Sequence, residues 1–168
     1  MTVEQAIARF FRMDERNRRR HSNPWSVYTR FTMIPLMGLA VWSRVWLQWW
    51  SLVPIVVVIL WIWLNPRILP EPKSTTKWAS KVVLGEWVWM RRNVVSVPVH
   101  QRLLPNLLSV AGGIGFLMFL AGLLLLHLWT AILGGVIAFM AKMWFADRMV
   151  WLYEEMKDAT PEYKSWLY

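Results

Sequence analysis

Residues 107–141 read LLSVAGGIGFLMFLAGLLLLHLWTAILGGVIAFMA, a run without a single Asp, Glu, Lys or Arg. An uncharged apolar stretch of about 18 residues or more is long enough to cross the hydrocarbon core of a bilayer as a helix. This run is nearly twice that length, and His127 with Trp129 near its middle marks a place to turn. It reads as two spans. A core helix in a water-soluble domain of this size would be shorter and interrupted by polar positions.

Working outward, residues 45–66 are likewise uncharged. The whole chain of 168 residues is 57% hydrophobic and only 17% charged, more apolar than an ordinary soluble domain. The expected fold class is therefore all-α: a polytopic membrane protein with four transmembrane helices arranged as two hairpins. The spans are expected over about 27–47, 49–64, 106–126 and 129–150, within one membrane domain covering 1–168. Pro35 and Pro54 fall inside the first two and are expected to kink them, which neighbouring helices in a membrane tolerate.

One or two interfacial amphipathic helices complete the expectation. Over 2–20, Val3, Ala6, Ile7, Phe10 and Met13 recur at helical spacing opposite a face of arginines. Such a basic amphipathic segment lies on a membrane surface rather than crossing it. It lacks the apolar core and cleavage site of a signal peptide. The connection over 65–105 begins with a proline-rich loop and then offers a helix over 76–92. Trp78, Val82, Val83, Trp87 and Trp89 give that helix a broad apolar side. It reads as a second interfacial helix or, alternatively, as a cap folded under the bundle.

Charge sets the orientation. Lys and Arg concentrate before Asn23, within 65–105 and near the C-terminus. An even number of spans puts all three regions on one side, and basic loops favour the cytoplasm. The expected location is the cell (inner) membrane, multi-pass, with both termini cytoplasmic. The formal net charge of +9 then faces a lipid bilayer with anionic headgroups, and no nucleic-acid module accompanies it. Fourteen tryptophans suit the membrane–water boundary, where an apolar ring meets a polar N–H. Trp46, Trp49, Trp50 and Trp129 are expected at the outer ends of the spans. Trp25, Trp61, Trp63, Trp144 and Trp151 are expected at the inner ends.

The strings Asn23-Pro24-Trp25-Ser26-Val27-Tyr28, Trp63-Leu64-Asn65-Pro66-Arg67 and Asp147-Arg148-Met149-Val150-Trp151-Leu152-Tyr153 resemble those of a bacterial integral membrane protein family of unknown function. The resemblance would cover most of the chain. It implies a bacterial membrane and no substrate, cofactor or catalytic residue.

Candidate chemistry is sparse. There is no cysteine, which removes thiolate metal sites and disulfides. His21, His100 and His127 are too few and too scattered to surround a di-iron centre. No metal and no cofactor is expected. Arg67, Glu86, His100, Asp147 and Arg148 fall near the inner ends of the spans. They form either a pocket for an anionic headgroup or metabolite or a salt-bridge network that fixes helices. Lys142 stands apart because it interrupts a span. Counted from Trp129 it lies roughly 20 Å along the helix, and its side chain should lean toward the helix N-terminus, away from cytoplasmic water. A charge at such depth is a candidate for function. A turn at Gly134-Gly135 would instead let Lys142 reach the outer surface. The small residues Ala111, Gly112, Gly113, Gly115 and Gly122, with Gly134 and Gly135, allow close helix approach.

Three function classes fit. The first is a non-catalytic subunit or scaffold of a membrane assembly, whose partner is another membrane protein or a second copy. The second is a homo-oligomeric transporter or channel for a small anionic solute. The third is a membrane-embedded enzyme acting on a lipid or polyprenyl phosphate. No nucleophile constellation or metal set is present, which weighs against an enzyme without excluding it.

Overall fold

A computed structural model of the chain describes residues 19–168. Nearly all of the amphipathic segment expected over 2–20 lies outside the described residues. Among them all regular structure is helical. In chain order the α-helices are α1 (Pro24–Phe31), α2 (Met33–Trp42), α3 (Arg44–Leu47), α4 (Leu52–Ile68), α5 (Trp78–Met90), α6 (Leu103–Leu124), α7 (Leu128–Met156) and α8 (Pro161–Ser165). Three stretches are long and apolar enough to cross a membrane: Pro24–Asn65, Val99–Leu124 and Leu128–Met156.

The first of these stretches is interrupted, and local chemistry explains where. Pro24 opens α1, and the preceding Asn23 accepts from the Trp25 N–H through Oδ1 at 2.9 Å, an arrangement favoured at helix starts. Pro35 has no N–H to offer the carbonyl four residues back, and the chain breaks at Thr32 between α1 and α2. Pro54 does not kink a span as the sequence suggests. It is the third residue of α4, where a backbone N–H has no partner within the helix and its loss costs nothing. Between α3 and α4 the backbone departs from helix at Gln48, with φ 47°.

Gln48 and Leu126 are the non-glycine residues of positive φ among the described residues. Leu126, at φ 55°, ends α6. The His127 N–H donates to the Gly122 carbonyl at 2.9 Å and the Leu126 N–H to Leu123 at 3.4 Å. This paired closure satisfies the last carbonyls and usually employs glycine at the Leu126 position. The turn therefore lies at 125–127, and Gly134-Gly135 is inside α7.

The chain divides into two compact units. The apolar unit comprises Thr29–Leu64 and Val99–Arg148. Here α6 and α7 pack in antiparallel register through three glycines. A Cβ on Gly115 would stand 2.6 Å from the Ala138 nitrogen, one on Gly134 would stand 2.7 Å from the Gly115 carbonyl oxygen, and one on Gly122 would strike the Ala131 backbone. Not all of the small-residue stripe serves this contact, since nothing lies within 4 Å of the Gly113 position. Phe119, Leu123 and Ala131 form a buried cluster against Ile34, Val41 and Trp42 of α2.

Among the described residues the charged unit comprises 19–28, Asn65–Pro98 and Met149–Tyr168. Its centre is α5. The expectation of an interfacial helix needs correction here, because nine of its thirteen residues are buried, including Trp87 and Trp89. A helix buried on every side belongs to a core and has no free apolar face to lay on lipid. Gly85 permits the closest crossing, where a Cβ would collide with the Met149 carbonyl. Hydrogen bonds join the three chain pieces. Ser26 Oγ donates to Asn65 Oδ1 at 2.8 Å, Ser80 Oγ to the Ser22 carbonyl at 2.7 Å, and the Thr75 N–H to the Tyr168 carbonyl at 2.8 Å.

Candidate functional site

The apolar unit contains Arg30, Arg44, Arg102, Lys142, Asp147 and Arg148 with His100 and His127, and every other acidic or basic residue among the described residues falls in the charged unit. Arg44 has a structural task that sequence reading missed. Its Nη2 donates to the carbonyl of Leu124 at 2.7 Å and to that of Leu123. A guanidinium thereby closes the C-terminal end of α6, where unpaired carbonyls concentrate partial negative charge. The only signal in the sequence was a lone arginine close to an apolar turn. Asp147 and Arg148 pair with each other at 3.5 Å, both partly exposed. Arg30 ends α1 and Arg102 precedes α6. Lys142 lies mid-helix in α7.

Lys142 lines a cavity of about 400 Å³ with Ile34, Ser109, Gly112, Phe116 and Phe145. The ammonium stands 5.4 Å from the centroid of the Phe145 ring, within the range of a cation–π contact. Phe145 lies one turn toward the C-terminal end of α7, so this contact does not follow the lean toward the N-terminus expected from helix geometry alone. A second cavity, about 660 Å³ and almost wholly apolar, follows along the same two helices. Gly38, Trp42, Phe119, Leu128 and Phe139 are among the residues that wall it, and Ile34 borders both.

The other candidates are distributed as follows. His100 lies in a 3-10 turn, Val99–Gln101, and is exposed. It belongs to the apolar unit, as do Lys142, Asp147 and Arg148. Arg67 and Glu86 belong to the charged unit. The Arg67 carbonyl accepts from Arg20 Nη1 at 3.0 Å, and Glu86 is half-buried on α5. Of the six candidates, the described contacts join Asp147 to Arg148.

A different polar network organises the charged unit. Glu154 accepts from Lys81 and, at 2.9 Å, from Lys157. The Glu154 carboxylate holds the Lys157 ammonium above its ordinary pKa, chiefly through that hydrogen bond. Arg91 pairs with Glu162 at 2.6 Å and lies over the Trp166 ring. Burial pushes the Tyr163 hydroxyl up, because the phenolate would lose its water. Among the described residues, no group of three His, Cys, Asp or Glu stands where it could hold a metal ion.

A family model covers residues 2–166, under the description "Family of unknown function (DUF6653)". The chain belongs to that family. Membership in DUF6653 brings no activity with it. No curated protein and no solved structure matches the chain.

Proposed function

We propose that the chain is a multi-pass membrane protein that crosses the bilayer four times, with both termini cytoplasmic, and serves as a non-catalytic subunit or scaffold of a membrane assembly. The observation that carries the membrane reading is α4. From Leu52 to Leu64 its side chains are apolar, and only Val58 is buried; Val57 is 58% exposed and Trp63 52%. An apolar surface on every side of a helix would be costly in water at about 25 cal/mol per Å², and is what lipid requires. The nine tryptophans assigned to the boundary layers, Trp25, Trp46, Trp49, Trp50, Trp61, Trp63, Trp129, Trp144 and Trp151, are all exposed.

Two crossings within Pro24–Asn65 are supported by its ends. Ser26 and Asn65 are hydrogen-bonded although 39 positions apart, whereas a straight helix would separate them by roughly 58 Å. Gln48, near the midpoint, carries the backbone break. The scaffold reading rests on how the polar residues are used. The pairs Lys81–Glu154 and Arg91–Glu162 tie chain pieces together, as a binding platform needs. The cavity at Lys142 favours one second reading, a conduit for a small anionic solute.

Neutralising Arg67, Glu86 and Arg148 singly separates these. For a scaffold, each variant that remains folded co-purifies with the same partners and keeps its cellular phenotype. Loss of the phenotype with partners retained defeats the scaffold reading. Anion flux in reconstituted vesicles that Lys142→Met abolishes establishes the conduit instead.

A further inference from the structure

The two cavities of the apolar unit succeed one another along α6 and α7. One contains a single ammonium group and the other is almost without polar atoms. From Lys142 to Leu128 the paired space extends roughly 21 Å along α7. That is longer than one leaflet's share, roughly 15 Å, of the hydrocarbon core. The walls explain why the space stays open. Gly38 and Gly135 face the Phe119 ring, and a Cβ at either position would stand 3.2 Å from it. Side chains there would fill the gap between α2 and α7. Gly112 does the same beside Lys142, where its missing side chain leaves only Ala141 Cβ, 3.5 Å from where a Cβ would be.

We propose that this cleft is a binding site for an anionic phospholipid, its phosphate paired with Lys142 and an acyl chain laid past Ile34, Gly38 and Phe119 toward Trp42. The proposal rests on the membrane reading above and adds a specific lipid site to it. Charge complementarity selects the occupant: a cation at one end of an apolar trough matches a headgroup of one negative charge on a long tail. A zwitterionic lipid would bring its own ammonium against Lys142. Ser109, whose hydroxyl donates to the Pro105 carbonyl at 2.8 Å, lines the same cavity and can accept from a headgroup hydroxyl such as the glycerol of phosphatidylglycerol. The Phe145 ring stands beside the ammonium, and Lys142 and Phe145 both line the cavity proposed for the headgroup.

The test uses the full-length chain in mild detergent, incubated with equal amounts of phosphatidylglycerol and phosphatidylcholine and examined by native mass spectrometry. A hydrogen bond to a charged group predicts retention of phosphatidylglycerol about tenfold over phosphatidylcholine. Lys142→Met should bring that ratio close to one, Lys142→Arg should keep it, and Lys157→Met, outside the cleft, should leave it unchanged. Met140→Trp, which adds bulk at an exposed wall position, should reduce retention of both lipids. Melting temperatures identify any variant that is misfolded, and Lys142→Gln takes the place of Lys142→Met as the neutral variant if Lys142→Met does not fold. An equal ratio in the unmodified protein and in Lys142→Met overturns the site, as does loss of the preference in Lys157→Met. Displacement of phosphatidylglycerol by a fatty acid or a prenyl phosphate at far lower concentration overturns the assignment to phospholipid. Failure of the membrane reading is distinguishable, because the chain would then leave the membrane fraction in alkaline carbonate.

Discussion

Gly85 and Tyr163 are single residues whose roles come from their surroundings. A methyl group at Gly85 would meet the Met149 carbonyl, and a helix backbone cannot turn aside as a side chain can. Gly85→Ala should therefore lower stability by about 3 kcal/mol, at the upper end of overpacking costs, while Gly113→Ala, with open space around it, should be close to neutral. Thermal unfolding in detergent followed by circular dichroism compares the two. Tyr163 is 1% exposed and its hydroxyl is buried without a hydrogen-bond partner among the described residues. Tyr163→Phe should stabilise by about 1 kcal/mol, since it removes a desolvated polar group. The pH dependence has a definite sign. With the folded pKa above the unfolded value of 10.0, the contribution of the neutral phenol is complete below pH 10 and is lost as pH rises through the folded value. Tyr163→Phe should accordingly unfold less readily under alkaline conditions, as alkaline melting curves would record.

Individual elements are held by their ends. The terminus of α6 has two closures, the turn at Leu126 within the backbone and the Arg44 guanidinium from outside it. Arg44→Met removes a charged donor from two carbonyls and should cost about 1–3 kcal/mol. Arg44→Lys should recover only part of that, because an ammonium lacks the planar fork that reaches neighbouring acceptors. Differential scanning fluorimetry of the three proteins orders them, and an Arg44→Lys curve that overlays the parent would show that charge alone suffices. Within the charged unit α8 is capped by Thr160, whose Oγ1 accepts from the Tyr163 N–H at 3.1 Å, with Pro161 in the first turn. That cap places Tyr163 beneath Trp166 at 4.7 Å and Trp166 against Trp87 at 5.4 Å. A short helix is thereby held in place by a stack of rings.

At the scale of the whole molecule, the division of charge predicts topology. The proposed four crossings predict His127 on the outer side and both Ser74 and Ser165 inside. His127→Cys should react with an impermeant maleimide added to intact cells, while Ser74→Cys and Ser165→Cys should react only after the membrane is opened. Labelling of either serine position from outside without labelling at His127 would overturn the four-crossing arrangement. Arg67, Glu86, His100, Asp147 and Arg148 all flank apolar stretches, and flanking position by itself says nothing about which polar groups meet. Lys157 pairs with Glu154 at local helical spacing, but Lys81 reaches Glu154 over 73 positions and Arg91 reaches Glu162 over 71, separations that no local pattern reveals.

The helical class and the stretches able to cross a membrane are properties of sequence alone. They depend on the absence of charge over lengths set by bilayer thickness, and that absence is visible one residue at a time. Lys142 was legible for the same reason, as a charge where none is expected. Helix packing was not legible. Whether Trp87 and Trp89 meet lipid or a protein core depends on what covers them, and α5 reads the same in either case. The glycine stripe gave no sign that Gly115, Gly122 and Gly134 bear backbone contact while Gly113 bears none, because contact depends on the rotation of two helices about their axes. The cleft beside Lys142 exists only where α2, α6 and α7 leave a gap, and a gap is formed by residues far apart in the chain.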